Sequence, residues 1–324
     1  MTTTQKIIDY ITKNRQASGK ELSDYLSDIT SRAVRKQLKN LLDKGLIRKI
    51  GRPPKVYYLL ETNKKPLKID TVDKQTQRTL NEKYLYISPA GDSKPGWEGF
   101  LAWCVKTKQD PTKTAKEYIM TIKKFDKFRK KNLIDGMPKM KNTFKGVFLD
   151  KLFYLDFYSI ERFGKTKLGQ MLLYAKQSQS IHLIHQLINE IRPQIISLIN
   201  EYEIDGILFI PPTVKREVQF MKELEKLLRL PVSSLFVAKI KTEIIIPQKT
   251  LSKLEDRIEN AKHTIIVADI KKYKNILLID DAVGSGATLN ETARQIKNKN
   301  LLSGKIIGLA ITGSFKGFDV ISEV

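Results

Sequence analysis

Several residue types are scarce in this 324-residue chain, which has one cysteine (Cys104), three histidines and two tryptophans. A single thiol excludes a disulfide framework and a cysteine-built metal site. Two of the histidines, His182 and His185, lie one helical turn apart and read as an exposed helix edge, so no metal held directly by protein ligands is expected. No apolar run approaches the roughly 18 residues of a membrane-spanning helix. The opening Met1-Thr-Thr-Thr-Gln-Lys6 has no apolar secretory core, so the expectation is a cytoplasmic protein with no membrane partner. Acidic residues are also few, 35 against 58 basic ones, for a net charge of +23.

That charge points to polyanionic partners, nucleic acid first. It is densest at the start of the chain, where residues 1–66 hold 15 basic and 6 acidic side chains. With 41% apolar residues, the chain is long enough for more than one domain with its own core. The boundaries expected from composition are 1–62, a polar linker 63–82, a basic and mostly helical middle region 83–150, and an α/β domain 151–324.

In the first segment, Ile7, Ile8, Tyr10 and Ile11 give a helix an apolar face, and Gly19–Leu26 reads as a short second helix. Ser31–Gly45 follows, with Val34, Leu38, Leu41 and Leu42 in one stripe and Gly45 as a terminator. Leu46–Ile50 and Val56–Leu60 alternate as two strands around Gly51-Arg-Pro-Pro-Lys55. Three helices and a hairpin, with Leu-Leu-Asp-Lys-Gly-Leu-Ile-Arg-Lys joining them, resemble the winged helix-turn-helix arrangement. The resemblance implies double-stranded DNA as a partner. Ser31, Arg32, Arg35, Lys36 and Lys39 would face the major groove and phosphates, and Arg52 and Lys55 would sit at the wing tip. Such proteins usually read paired half-sites, so a homodimer is expected.

The middle is less legible. Tyr84–Asp92 alternates like a strand entering a turn, Gly96–Cys104 opens a helix carrying both tryptophans, and about Thr112–Lys131 forms another. Its Ala115, Tyr118, Ile119, Ile122 and Phe125 fall on one side, the spacing of a buried face rather than of a stacking platform for single-stranded nucleic acid.

The most informative stretch is Asn275-Ile-Leu-Leu-Ile-Asp-Asp-Ala-Val-Gly-Ser-Gly-Ala-Thr-Leu289. Ile276–Ile279 reads as a buried parallel strand. The carboxylates Asp280 and Asp281 come next, then Ala282, then the small-residue loop Gly284, Ser285, Gly286, Ala287 and Thr288, where a helix begins. A loop of this kind aims backbone N–H groups and the positive end of a helix at one point, which suits a phosphate. The adjacent aspartates suit sugar hydroxyls or hydrated Mg²⁺. No Lys follows the last Gly, as Walker A would need, and no third Gly completes a dinucleotide fingerprint. From about residue 165, strands and helices alternate (helix 183–202, strand 206–210, helix 214–230, strands 234–238, 264–268 and 275–279, helix 289–298, strand 306–312), which implies a doubly wound, mainly parallel sheet.

The 275–289 motif resembles the site for phosphoribosyl pyrophosphate (PRPP) in type I phosphoribosyltransferases. Ile210-Pro211, Lys215-Arg216, Gln219, Pro247-Gln248, Leu251-Ser252, Glu255, Arg257 and Asn260 are similar to the ComF branch of that family, over residues 155–315. The chain departs from that branch at Gly284-Ser285, where a Thr pair is usual, and in having no zinc-ribbon cysteines. The resemblance implies PRPP with Mg²⁺, or a nucleotide, as ligand. The 5-phosphate would sit in Gly284–Thr288 and the ribose hydroxyls on Asp280 and Asp281. Pro211, Lys215 and Arg216 would meet the pyrophosphate, with Arg257 and Lys176 at the hood over the substrate. Three readings stay open: a ligand-responsive transcription regulator, an active phosphoribosyltransferase such as the effector of a phage-defence retron, and a non-enzymatic DNA-processing protein.

Overall fold

The structure is a computed structural model that describes residues 2–52, 55–61, 72–212, 216–240, 243–244 and 246–314. Its contacts divide the chain into two compact units, Met1–Asp70 and Thr71–Val324. Lys215, and the side chains of Arg52 and Lys55, fall outside what is described.

In the first unit the helices α1 (Thr3–Asn14), α2 (Gly19–Tyr25) and α3 (Ser31–Asp43) accompany strands β1 (Ala17–Ser18), β2 (Ile47–Arg52) and β3 (Lys55–Leu60). The three strands form one antiparallel sheet in the order β1-β3-β2. Each helix starts where a hydroxyl can close the open backbone: Thr2, Ser18 and Thr30 each accept from an N–H in the following turn. Ile7, Ile11, Leu22, Val34, Leu38, Leu41 and Ile47 bury into a single core. The other side of α3 exposes Ser31, Arg32, Arg35, Lys36 and Lys39.

The second unit is built on a seven-stranded sheet. Its elements are α4 (Lys74–Lys83), β4 (Leu85–Ile87), β5 (Ser93–Pro95), α5 (Gly96–Lys106), α6 (Pro111–Asp126), β6 (Arg129–Lys130), β7 (Leu133–Asp135), α7 (Met137–Thr143) and β8 (Lys151–Phe157). After these come α8 (Lys167–Ser178), α9 (Ile181–Glu201), β9 (Gly206–Phe209), α10 (Phe220–Leu228), β10 (Ser233–Ser234) and β11 (Val237–Lys239). The last elements are α11 (Leu254–Thr264), β12 (Ile265–Val267), β13 (Ile276–Val283), α12 (Ala287–Asn298) and β14 (Ile306–Gly313). The sheet order is β10-β9-β13-β14-β8-β7-β6. The first five strands are parallel, and β7 and β6 continue the sheet antiparallel. Strand alternation divides the core in two. Leu277, Ile279, Ile307 and Leu309 pack with α8, α9 and α10, whereas Ile276, Leu278, Ile306 and Ala310 pack with α12 and the helices before residue 150. This is a mixed α/β unit with helices on both faces.

Three expectations change. Residues 74–82, read as linker, lie in α4, which runs to Lys83 and is capped by Asp73; only Thr76 and Leu80 bury, too few for a visible period. Residues 83–150 do not stand apart, because Phe100, Tyr118, Phe125 and Met140 share one core with β13 and α12. The aromatics of α6 are therefore interior, as their spacing indicated, and unavailable for stacking on bases. Finally, β11 and β12 leave the main sheet and pair with each other as an antiparallel ribbon.

The join between the halves of this unit is polar as well as apolar. From α12, Asn290 donates to the Gly146 carbonyl at 2.9 Å and accepts from the Phe148 N–H at 2.8 Å. Asn290 is buried, so Asn290→Ala leaves two backbone groups unpaired. Stability is expected to fall by about 2 kcal/mol, lowering the melting temperature by roughly 4 to 8 °C in a calorimetric scan.

Candidate functional site

The parallel strands β9 and β13 end on the same side of the sheet, and the loops that leave them enclose a cavity of about 200 Å³. Lys176, Pro211, Arg216, Lys239, Gln248, Arg257 and the continuous run Asp280–Thr288 line it. Segments more than a hundred residues apart thus meet at one place. Every cavity residue named from sequence that lies within the described residues is on its wall.

The floor is the loop from β13 into α12. Gly286 takes φ +87° as the N-cap, and no side chain caps the helix. Ser285 is buried, and its Oγ accepts from the Ala287 N–H at 3.3 Å. A Cβ on Gly286 would lie 2.4 Å from Sδ of Met140, so α7 packs directly under the loop. This leaves first-turn N–H groups of a 12-residue helix facing a space bordered by cations, an arrangement that holds a phosphate or carboxylate.

The two carboxylates are held differently. Asp281 is bridged by Nζ of Lys176 at 2.7 Å, and both side chains are largely shielded from solvent. Asp280 accepts from the Asp281 N–H at 2.8 Å. Burial, and then the neighbouring Asp281 charge, push the Asp280 carboxyl up to about 7, against the opposing pull of that N–H, Lys176 and Lys239. Burial in turn lowers Lys239, with Asp280 resisting.

Arg216 donates through Nη1 to the Lys176 carbonyl, tying the end of β9's loop to α8. Gln219 donates to the Arg216 carbonyl at 3.0 Å. Arg257, only 4% exposed, donates through Nε to the Leu251 carbonyl at 2.7 Å. Its own carbonyl receives Nε2 of Gln248 at 2.9 Å. Nη2 of Arg257 is buried without a partner among the described residues, a donor left for an acceptor from outside. Four cationic side chains, Lys176, Arg216, Lys239 and Arg257, therefore face two carboxylates, and the cavity favours an anion.

Lys239 is the charged wall residue that sequence reading missed. The available signal was its place at the end of Leu235-Phe-Val-Ala-Lys239, where strand alternation turns it to the inner side. Met140 and Asn290, which brace the loop from beneath and behind, carried no signal, since their partners lie more than 140 residues away. Among the described residues, no helix is long and apolar enough to cross a membrane. Compared with protein-family models and with curated proteins, the chain matches none.

Proposed function

We propose that residues 71–324 form a type I phosphoribosyltransferase-like domain that binds PRPP or a ribose 5-phosphate. We further propose that the chain uses this ligand to control binding of duplex DNA through a winged helix in residues 1–61. The observation that carries the reading is the union, in one cavity, of a helix N-terminus opened by a glycine, an acidic pair and four cations. The 5-phosphate sits on the N–H groups of Gly284–Thr288. Asp280 and Asp281 accept hydrogen bonds from the ribose hydroxyls, Arg216 faces the pyrophosphate, and Arg257 and Lys176 stand at the hood. Mg²⁺ arrives with the ligand: two carboxylates, one already paired with Lys176, suit a hydrated ion held mainly by phosphates. The protein acts in the cytoplasm.

The DNA half of the reading rests on the exposed row of α3. Replacing Arg32, Arg35, Lys36 and Lys39 together by Ala should weaken duplex binding across all sequences. It should also reduce the slope of log K against log salt by roughly 2 to 3, since each lost phosphate contact removes about 0.9. An unchanged slope in an anisotropy titration would move the DNA surface elsewhere. Coupling requires PRPP to shift DNA affinity and DNA to shift PRPP affinity by the same factor.

A second reading, turnover, is favoured by one observation. The cavity sets Lys176, Arg216, Lys239 and Arg257 around the acidic pair, which suits loss of an anionic leaving group as a nitrogen nucleophile attacks the anomeric carbon. Departing pyrophosphate would then be stabilised by the cations already in place. Pyrophosphate release with Mg²⁺, assayed over bases, nucleotides and DNA beside Asp280→Asn/Asp281→Asn, separates the two readings. Release abolished in the double variant makes the site an enzyme's. Saturable PRPP binding without release makes it a sensor, and no binding at all refutes both.

A further inference from the structure

The β11–β12 ribbon is apolar on both faces, which is unusual for a ribbon with one side against solvent. Val237, Ile265 and Val267 turn inward against the core, and Lys239 turns inward to the cavity wall. The opposite face carries Phe236, Ala238 and Ile240 on one side and Ile266 and Ala268 on the other, with Ala238 paired to Ile266. Ile270 follows just beyond the ribbon and is 94% exposed. Phe236 is 63% exposed, Ile240 44% and Ile266 38%. In a chain of net charge +23, this row contains no charged side chain.

We propose that the outer face of this ribbon is the surface through which two copies of the chain pair. Area is the first reason. The exposed parts of these side chains amount to roughly 450 Å², taking about 200 Å² for a whole Phe and somewhat less for Ile. A standard interface covers about 800 Å² on each partner and is about 56 to 65% apolar, so it needs roughly 450 to 520 Å² of apolar surface per copy. The patch matches the apolar part of such an interface. Shape is the second reason. A twofold interface must be complementary to itself. Here large Phe236, Ile240 and Ile266 alternate with small Ala238 and Ala268, so the ridges of one ribbon find hollows on its twin.

The ribbon is also held still before pairing. Gln295 accepts from the Val267 N–H at 3.0 Å and donates to the Ile265 carbonyl at 2.8 Å, closing the free edge of β12. Asp269 accepts from the N–H groups of Phe236 at 3.0 Å and Lys271 at 2.7 Å. With that edge closed, a partner is met face to face rather than by strand addition at β12. An uncharged contact also lets two cationic copies meet without opposing like charges, and added salt screens the repulsion of the rest.

Sedimentation velocity of the full chain from about 1 to 100 µM, at about 0.15 and 0.5 M salt, tests this. The expected result is a dimer that persists or tightens at the higher salt. Ile266→Lys and Ile270→Lys should each weaken it at least tenfold while keeping the wild-type melting temperature. Ile270 makes so little contact within the chain that its replacement cannot unfold it. A wild-type chain that stays monomeric throughout overturns the proposal. So does a dimer that both variants leave intact, because pairing then occurs elsewhere.

Discussion

Gly286→Val is expected to lower affinity for PRPP by about 100-fold or more. Two costs arise at one atom. A β-branched residue at φ +87° is strained by about 1 to 3 kcal/mol. Its Cβ also enters the space of the Met140 sulfur, 2.4 Å away. Met140 is fully buried, so its thioether must find another rotamer or the loop must move. Moving the loop turns the N–H groups of Gly284–Thr288 away from a shared focus, and about 2.7 kcal/mol of lost phosphate binding is a factor of 100. Isothermal titration of PRPP gives the number. Adding Met140→Ala should recover part of the loss, because it relieves the collision but not the backbone strain. Unchanged affinity in Gly286→Val would show that this loop does not hold the phosphate.

Asp280→Asn should abolish PRPP binding and at the same time stabilise the ligand-free protein at alkaline pH. The Asp280 carboxyl is raised to about 7 in the folded chain, first by burial and then by Asp281, whereas an unfolded Asp titrates at about 3.9. The folded state therefore binds a proton that the unfolded state has released. Its stability is fullest below about pH 4, falls as pH rises towards 7, and is flat above that. Three units correspond to about 4 kcal/mol at most. Removing the negative charge also deprives Lys176 and Lys239 of a partner, so a net gain of about 2 kcal/mol is expected at pH 8. In melting temperature this is roughly 4 to 8 °C. Near pH 4 the variant and the wild type should melt together. Differential scanning calorimetry at the two pH values decides it, and a gain of equal size at both would mean that Asp280 is not held near neutrality.

The cavity floor was readable from sequence because its signal is local. Ile276–Ile279 is a continuous apolar run, Gly284 and Gly286 mark the turn, and Leu289, Ala293 and Ile296 restore helical spacing, all between residues 276 and 296. Likewise, α3 declared its buried stripe and its basic face by period alone. What escaped depends on distant partners. Helix α4 buries only Thr76 and Leu80, too few apolar positions for a helical stripe to show. Strands β6 and β7 are two and three residues long and owe their existence to pairing, β7 with β8 and β6 with β7. Strands β11 and β12 read as members of the main sheet, since an apolar strand looks the same in a ribbon as in a sheet. The Lys176–Asp281 bridge joins residues 105 apart, and no local pattern announces such a pair.

The order of strands across the sheet has a consequence for how the chain is made. The two central strands, β13 and β14, are the last to be synthesised, yet they lie between β9 and β8. When residue 210 leaves the ribosome, β8 has β7 beside it and α8 and α9 to pack on, but the edge of β8 that meets β14 and the edge of β9 that meets β13 are both open. The α/β unit must therefore wait for about a hundred further residues before its sheet can close, a delay that long-range pairing imposes on any chain. The first unit, whose core is built from residues between Ile7 and Leu60, faces no such delay. A nascent chain stalled near residue 260 should thus display a protease-resistant first unit followed by an α/β portion that a chaperone must shelter.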